Sequence, residues 1–360
     1  MIWLMHVSLI SFFRFCVAVN VKKNIIAFLV ISYLTILFGQ RWMVGEDYPG
    51  YVLYYDIQFT GFAPTFYLIQ NYFSDNGISF ILFMSLMLLV ILVNFFLFIK
   101  FVFPKEYVIF FLIFAISEIF FQQLSQVRQF VAISIFLVSF YKIQHKGRKI
   151  YLFYYILACS VHISAVFLMP LLFHSTRKIN VNKTRFLILL IAFLPLVNIS
   201  PFLSSYTFLP FLHYIGGQYD VELSIVHNLR FYMMLLFVFA TLNFIPNRNT
   251  GIHVFILTGT IYYLTLYGLG QSFAPLSRIS YYFKIFELMY LFYSVEWVHS
   301  AFNKNFFRGV LVLFVSLSYL YLGTFDPYAI EPFQMKPVSF YEGMSSSDMR
   351  REINLFYEKK

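Results

Sequence analysis

The chain has 360 residues, 60% of them hydrophobic and 12% charged, with a formal net charge of +10. A soluble protein carries about a quarter charged residues, so this composition excludes an ordinary soluble enzyme. The excess Lys and Arg lies in short connectors between apolar blocks, as the positive-inside bias places it, and so does not argue for nucleic-acid binding.

The apolar blocks run to about 16–26 residues, and about 20 cross the hydrocarbon as a helix. Only helices and closed barrels satisfy the backbone in lipid, and the blocks lack the alternation of barrel strands. The sequence predicts an all-α, polytopic integral membrane protein with about 10 transmembrane helices and one broken, re-entrant hairpin. Residues 1–325 are expected to form a single transmembrane domain and 326–360 a C-terminal tail. The first block has no basic leader and is interrupted by Arg14, so no cleavable signal peptide is expected. Cys16 and Cys159 both fall in apolar blocks, which argues against a structural disulfide.

In chain order, spans are expected near 3–19 and 24–40, with Lys22 and Lys23 between them in the cytoplasm. Residues 41–77 form a first outer loop, in which 42–77 hold no Lys or Arg but do hold Glu46, Asp47, Asp56 and Asp75. Spans near 78–100, 107–123 and 127–143 follow, with Lys100 and Lys105 inside and the basic connector 142–149 inside again. Block 150–173 has strongly basic flanks on both sides, with Arg177, Lys178, Lys183 and Arg185 after it. One crossing would violate the charge rule, so two short helices with a break near Cys159–Ser164 are expected, entering from the cytoplasm and returning. Arms of about 12 residues rise roughly 18 Å, which puts His162 at a deep apex. Spans near 185–200, 228–246, 252–270, 279–298 and 308–325 complete the set. A second outer loop, 201–227, lacks Lys and Arg and holds Asp220 and Glu222; the tail comes out external.

This orientation leaves Arg41, Arg128, Arg230 and Arg278 at outer ends, where lipid-linked anions would meet them. In the first outer loop, Asp47 beside Tyr48, Tyr51 and Tyr55 combines a carboxylate with aromatic faces, a combination that suits sugars. The same residues also make an interfacial aromatic belt. Arg128 and Gln129 follow Gln122, Gln123 and Gln126, which are polar surroundings for a guanidinium whose fork matches phosphate oxygens. Glu118 is a partner for Arg128 or a second carboxylate. His162 is an ionisable group inside a membrane segment, and such groups mark function unless a freed backbone carbonyl occupies them. Arg278, Tyr281 and Tyr282 share the outer end of a span, and Lys284 and Glu287 sit at helical pairing distance. No phosphate-binding glycine loop, metal-spaced histidines or paired aspartates occur, so no cofactor and no metal are expected.

Four motifs, in order, resemble the EpsG-like branch of the Wzy-type polysaccharide polymerases: Arg41…Val44-Gly45-x-Asp47-Tyr48…Tyr51, Val127-Arg128-Gln129…Ala132, Val161-His162-x-Ser164, and Leu276-Ser277-Arg278-Ile279…Tyr282-Phe283. Glu46 stands where such proteins often carry a small or hydroxyl residue, which leaves Asp47 as the retained carboxylate. The arginine-x10-glycine pattern of some other Wzy proteins is absent, since Ser139 and Met289 occupy those spacings.

The resemblance implies an enzyme of the bacterial inner membrane that joins undecaprenyl-diphosphate-linked oligosaccharide repeat units on the periplasmic face. A flippase and a chain-length regulator are the partners it implies. Departure of the lipid diphosphate needs fixed cations, and the acceptor hydroxyl needs a base. The residues expected to carry catalysis are Asp47, His162, Arg128 and Arg278; those expected to bind substrate are Arg41, Tyr48, Tyr51, Glu118, Gln129 and Tyr282. Two alternatives stay open: a lipid-linked oligosaccharide flippase, against which the lack of pseudo-symmetric halves speaks, and a membrane O-acyltransferase, for which the outer arginines fit poorly.

Overall fold

The computed structural model describes residues 2–58, 60–61, 63–146, 148–172, 180–196, 225–245, 251–271, 274–297, 301–325, 333–337 and 346–358. Most of the second expected outer loop, with Asp220 and Glu222, lies outside the described residues, as do Arg177, Lys178 and the side chains of 142–149.

The described chain is helical. Its helices are α1 (Ile2–Ala18), α2 (Lys23–Gly39), α3 (Tyr48–Asp56), α4 (Pro64–Asp75), α5 (Phe80–Val102), α6 (Tyr107–Ala115), α7 (Glu118–Ser125), α8 (Val127–Lys146) and α9 (Arg148–Val161), followed by a 3-10 turn (Ile163–Leu168). Then come α10 (Met169–Leu172), α11 (Val181–Ile191), α12 (Ile225–Thr241), α13 (Gly251–Gly270), α14 (Ala274–Ser280), α15 (Lys284–Trp297), α16 (Ala301–Phe325) and α17 (Ser346–Glu358).

Helices occur in every block where a span is expected, but among the described residues length and apolarity qualify only α5 and α13, or three spans if the bent pair α6–α7 is counted as one. The count of about 10 expected from block length is therefore not reached by these criteria. Two expectations are corrected in detail. The span read as continuous over 107–123 is bent by 57° between Ala115 and Glu118. The span read as starting at 279 begins instead with α14 and a turn at 281–283 before α15. In both places polar residues sit inside the apolar block and find backbone partners: Ser117 Oγ donates to Phe114 O, and Ser280 Oγ to Ser277 O.

The outward faces argue for lipid. Along α5, Met84, Leu88, Ile91, Phe95, Phe98 and Val102 recur at helical spacing and are buried, while Leu82, Val90, Val93 and Leu97 on the other side are exposed. Phe15 on α1, Phe28 on α2, Phe153 on α9 and Phe186 on α11 are each at least 60% exposed. A water-soluble helix would put charged groups there, and contiguous apolar exposure marks a surface made for another apolar phase.

The chain divides into two compact units, Met1–Val166 with Leu313–Lys360, and Phe167–Val312, where the sequence reading treats 1–325 as one domain. In the first, α5 packs between α2 and α8, α8 lies along α9, and α1 covers α2 and α6. Buried His6 on α1 holds the α6–α7 bend: Nε2 donates to Ala115 O at 2.9 Å, a carbonyl at the end of α6, and Nδ1 accepts from the Tyr33 hydroxyl at 3.1 Å. The tail returns to the first outer loop. Met335 forms an antiparallel bridge with Arg41, Trp42 N–H donates to Gln334 O, and the Trp42 indole donates to Glu352 on α17. The tail and the loop therefore lie on the same side. In the second unit, α13 packs against α14 and α15. Gly259 allows the Phe286 ring of α15 to approach so closely that a Cβ there would sit 2.3 Å from it.

Candidate functional site

The site is built on the loop between α2 and α3. Met43 and Gly45 both have positive φ, of 50° and 107°, which folds the chain back on itself within a few residues. Gly45 also presses on the end of α7: a Cβ would lie 2.7 Å from Leu124 O and 3.0 Å from Ser125 Cα. Arg41 locks this arrangement from inside. Its Nε donates to Val44 O at 3.3 Å, one terminal nitrogen to Phe38 O at 2.7 Å and the other to Leu124 O at 2.9 Å. Burial lowers its pKa to about 10, so it stays charged at neutral pH. The expectation that Arg41 meets substrate is not what this geometry favours. The guanidinium is fully buried and ties α2, the loop and α7 together.

Tyr48 is revised in the same way. Its hydroxyl donates to Arg41 O at 2.7 Å, its ring packs edge-on against Trp42 and Phe80, and no face is open to a sugar. Tyr55 likewise donates to Ile78 O and is buried. Asp47 occupies the N-cap position of α3, is partly exposed, and makes no capping bond with its side chain.

Tyr51, one turn into α3, faces the start of α8. Its ring centre is 5.5 Å from the Arg128 guanidinium carbon, close enough for the cation to act on the phenol. Burial pushes the phenol pKa up and Asp47 pushes it further, while Arg128 works in the opposite direction. Phe66 of α4 lies 5.9 Å from the same guanidinium. Arg128 sits in the first turn of α8, where the helix dipole disfavours a cation and favours an anion. An anion placed there would meet both the dipole and the guanidinium. Gln129 lies beside it and is buried.

His162 enters from the break after α9. The helix stops at Val161, the 3-10 turn begins at Ile163, and His162 stands between them, as the sequence predicts. Its Nδ1 lies 2.6 Å from Ser164 Oγ, and Arg128 is close enough to act on it electrostatically. The neighbouring α9–α4 contact is pinned by Thr65 Oγ1 donating to Ser160 Oγ at 2.7 Å. Asp47 with Tyr51, Arg128 and His162, from three separate stretches of the chain, are thus linked through Tyr51 and Arg128.

Immediately before Arg128, every residue of α7 from Glu118 to Ser125 is buried. Both polar atoms of the Gln122 and Gln123 amides, Ser125 Oγ and Gln126 Oε1 have no hydrogen-bond partner among the described residues. Each such group costs about 1–3 kcal/mol. The sequence reading treated these amides as polar surroundings of Arg128 and gave them no role. Their burial is a tertiary property, and the only signal of it was a polar run inside an apolar chain.

Of the remaining expected residues, Arg278 and Tyr282 fall in the second unit and Glu118 in the first. Arg278 is exposed in the last turn of α14, and Tyr282 is buried in the turn that follows. Glu287 is 2% exposed and accepts from Arg230 across α15 and α12 at 2.8 Å, a pair that sequence spacing does not reveal. Glu118 opens α7. Among the described residues no group of three or more His, Cys, Asp or Glu is placed to hold a metal ion.

Residues 3–335 match the EpsG family, and the chain belongs to it. The membership supports a membrane protein of exopolysaccharide synthesis with a polymerase-like, glycosyltransferase-like role. No curated protein and no solved structure matches the chain.

Proposed function

We propose that this protein is a Wzy-type glycosyltransferase of the bacterial inner membrane. It polymerises undecaprenyl-diphosphate-linked oligosaccharide repeat units on the periplasmic face. The observation that carries this reading is the linkage of Asp47, Tyr51, Arg128 and His162 at the start of α8. It supports an anion-binding role for Arg128, with Asp47 and His162 as candidate proton acceptors.

In this mechanism the bond between the anomeric carbon of the growing chain and the diphosphate oxygen breaks, and undecaprenyl diphosphate leaves with the electron pair. A hydroxyl of the incoming lipid-linked unit bonds to the anomeric carbon and gives its proton to a base. Arg128 stabilises the charge on the departing diphosphate without a metal, aided by the dipole of α8. Arg278, exposed in the second unit, is proposed as a further phosphate ligand. Asp47 and His162 are the two candidate bases. For His162 the productive tautomer has Nδ1–H donating to Ser164 Oγ, which leaves Nε2 to accept. Arg41 is a positioning residue that holds the loop carrying Asp47. A flippase supplies the lipid-linked units and a chain-length regulator acts on the product.

The decisive test is deletion of the chain in its host, with polysaccharide analysed on gels. Loss of the ladder with single repeat units still attached supports the polymerase. Loss of all repeat units points to the flippase, and an unchanged ladder with altered acylation to the O-acyltransferase.

A further inference from the structure

We propose that the polar array of α7, Gln122, Gln123, Ser125 and Gln126, is a carbohydrate subsite for the sugar ring bonded directly to the lipid diphosphate, next to Arg128. The proposal rests on the polymerase reading above and assigns these residues a ligand.

Six polar atoms within five consecutive residues lack hydrogen-bond partners among the described residues, and Gln122 and Gln123 are completely buried. Apolar side chains of similar volume would serve packing better, so a purely structural helix gains nothing from this set. A primary amide offers donors and an acceptor together, the complement of a sugar hydroxyl, which also donates and accepts.

The array is held on a fixed backbone. Leu124 O is bound by buried Arg41, Gly45 abuts Leu124 and Ser125, and Gln126 N–H donates to Gln122 O. Groups so held lose little freedom when a ligand binds.

Position identifies which sugar. Gln126 ends the turn after α7 and Arg128 lies in the first turn of α8, two residues on. A phosphate at Arg128 therefore brings the ring attached to it toward the amides. The amides are also neutral. Carboxylates bind sugars well, but in this position they would repel the adjacent diphosphate; glutamines recognise hydroxyls without that repulsion.

The test uses the purified full chain in nanodiscs and two probes. One is the phosphate-free oligosaccharide released by mild acid from the host's own polysaccharide; the other is inorganic pyrophosphate. The Gln122→Met/Gln123→Met double variant keeps the volume and removes the amides. It is expected to melt no lower than the wild type, to bind the oligosaccharide about tenfold more weakly or worse, and to bind pyrophosphate unchanged. Should that variant misfold, the Gln122→Asn/Gln123→Asn variant retains the amides but withdraws them, and the same selective loss is expected. Equal oligosaccharide binding by wild type and variant overturns the subsite and leaves the polymerase reading standing. An oligosaccharide that fails to bind wild type while pyrophosphate binds also overturns it, with water as the partner of the amides. The deletion ladder judges the polymerase reading separately.

Discussion

The Arg128 guanidinium carbon lies 5.5 Å from the centre of the Tyr51 ring, and its charge acts on the Tyr51 phenol. An aromatic ring of α3 therefore faces the cation at the start of α8. A cation over an aromatic face contributes about 0.5–2 kcal/mol, depending on desolvation. Tyr51→Phe keeps the ring and loses the hydroxyl, so it is expected to shorten the polysaccharide ladder without lowering membrane expression. Tyr51→Leu is expected to shorten it further.

For the arginines themselves, a planar fork should matter more than charge. Arg128→Lys is expected to abolish polymer and Arg278→Lys to shorten or abolish it, although both keep the charge. Lys183→Ala, in the first turn of α11, is the control expected to leave the ladder intact. The readout is the ladder at matched expression, with EDTA added to purified enzyme. Wild-type ladders from both arginine variants would sink the diphosphate assignment, and activity lost to EDTA would sink the metal-free mechanism.

His162 stands at the helix break with Nδ1 2.6 Å from Ser164 Oγ. His162→Ala is expected to abolish polymer while the protein still reaches the membrane. His162→Gln retains a hydrogen-bonding group but not a base of the same strength. If His162→Gln polymerises normally while Asp47→Asn does not, the base is Asp47 and His162 is structural. If both variants fail, each is needed, one as base and the other to place the acceptor.

Gly45 combines a φ of 107° with a close approach to Leu124 O. Gly45→Ala introduces strain of about 1–3 kcal/mol and a clash with backbone that Arg41 holds in place. It is expected to lower the melting temperature of the purified protein and to reduce polymer in proportion to the folded fraction. A Gly45→Ala protein of wild-type stability would show that the loop is not clamped as described.

The basic connectors predict topology. Cysteines introduced at Gln144 and Asn180, in a background lacking Cys16 and Cys159, are expected to resist an impermeant thiol reagent outside intact spheroplasts. Asn180 caps α11 by accepting from Lys183 N–H, so its replacement costs about 1 kcal/mol, a tolerable loss. Labelling at 180 alone would make 150–173 a single crossing.

Sequence by itself determined the all-helical class of the molecule and the helices of its apolar blocks, because apolar length and connector charge are local properties read block by block; it did not place α3 and α4 in the first loop or α17 in the tail. It also located the break at His162, where two basic flanks conflict with a single crossing, and it brought out the motif residues Asp47, Arg128 and His162. Tertiary structure decided what each group touches. Arg41 and Arg128 look alike in sequence, each an arginine at an outer helix end. One is consumed by three backbone carbonyls and the other faces Tyr51 and His162. Tyr48 and Tyr51 are three residues apart on one helix, yet one is packed against Trp42 and Phe80 and the other meets Arg128. The glutamines of α7 and the turn after it read as a polar helix end until folding buries them. Partners and burial depend on contacts across a hundred residues, and no local pattern of charge or hydrophobicity encodes which contacts form.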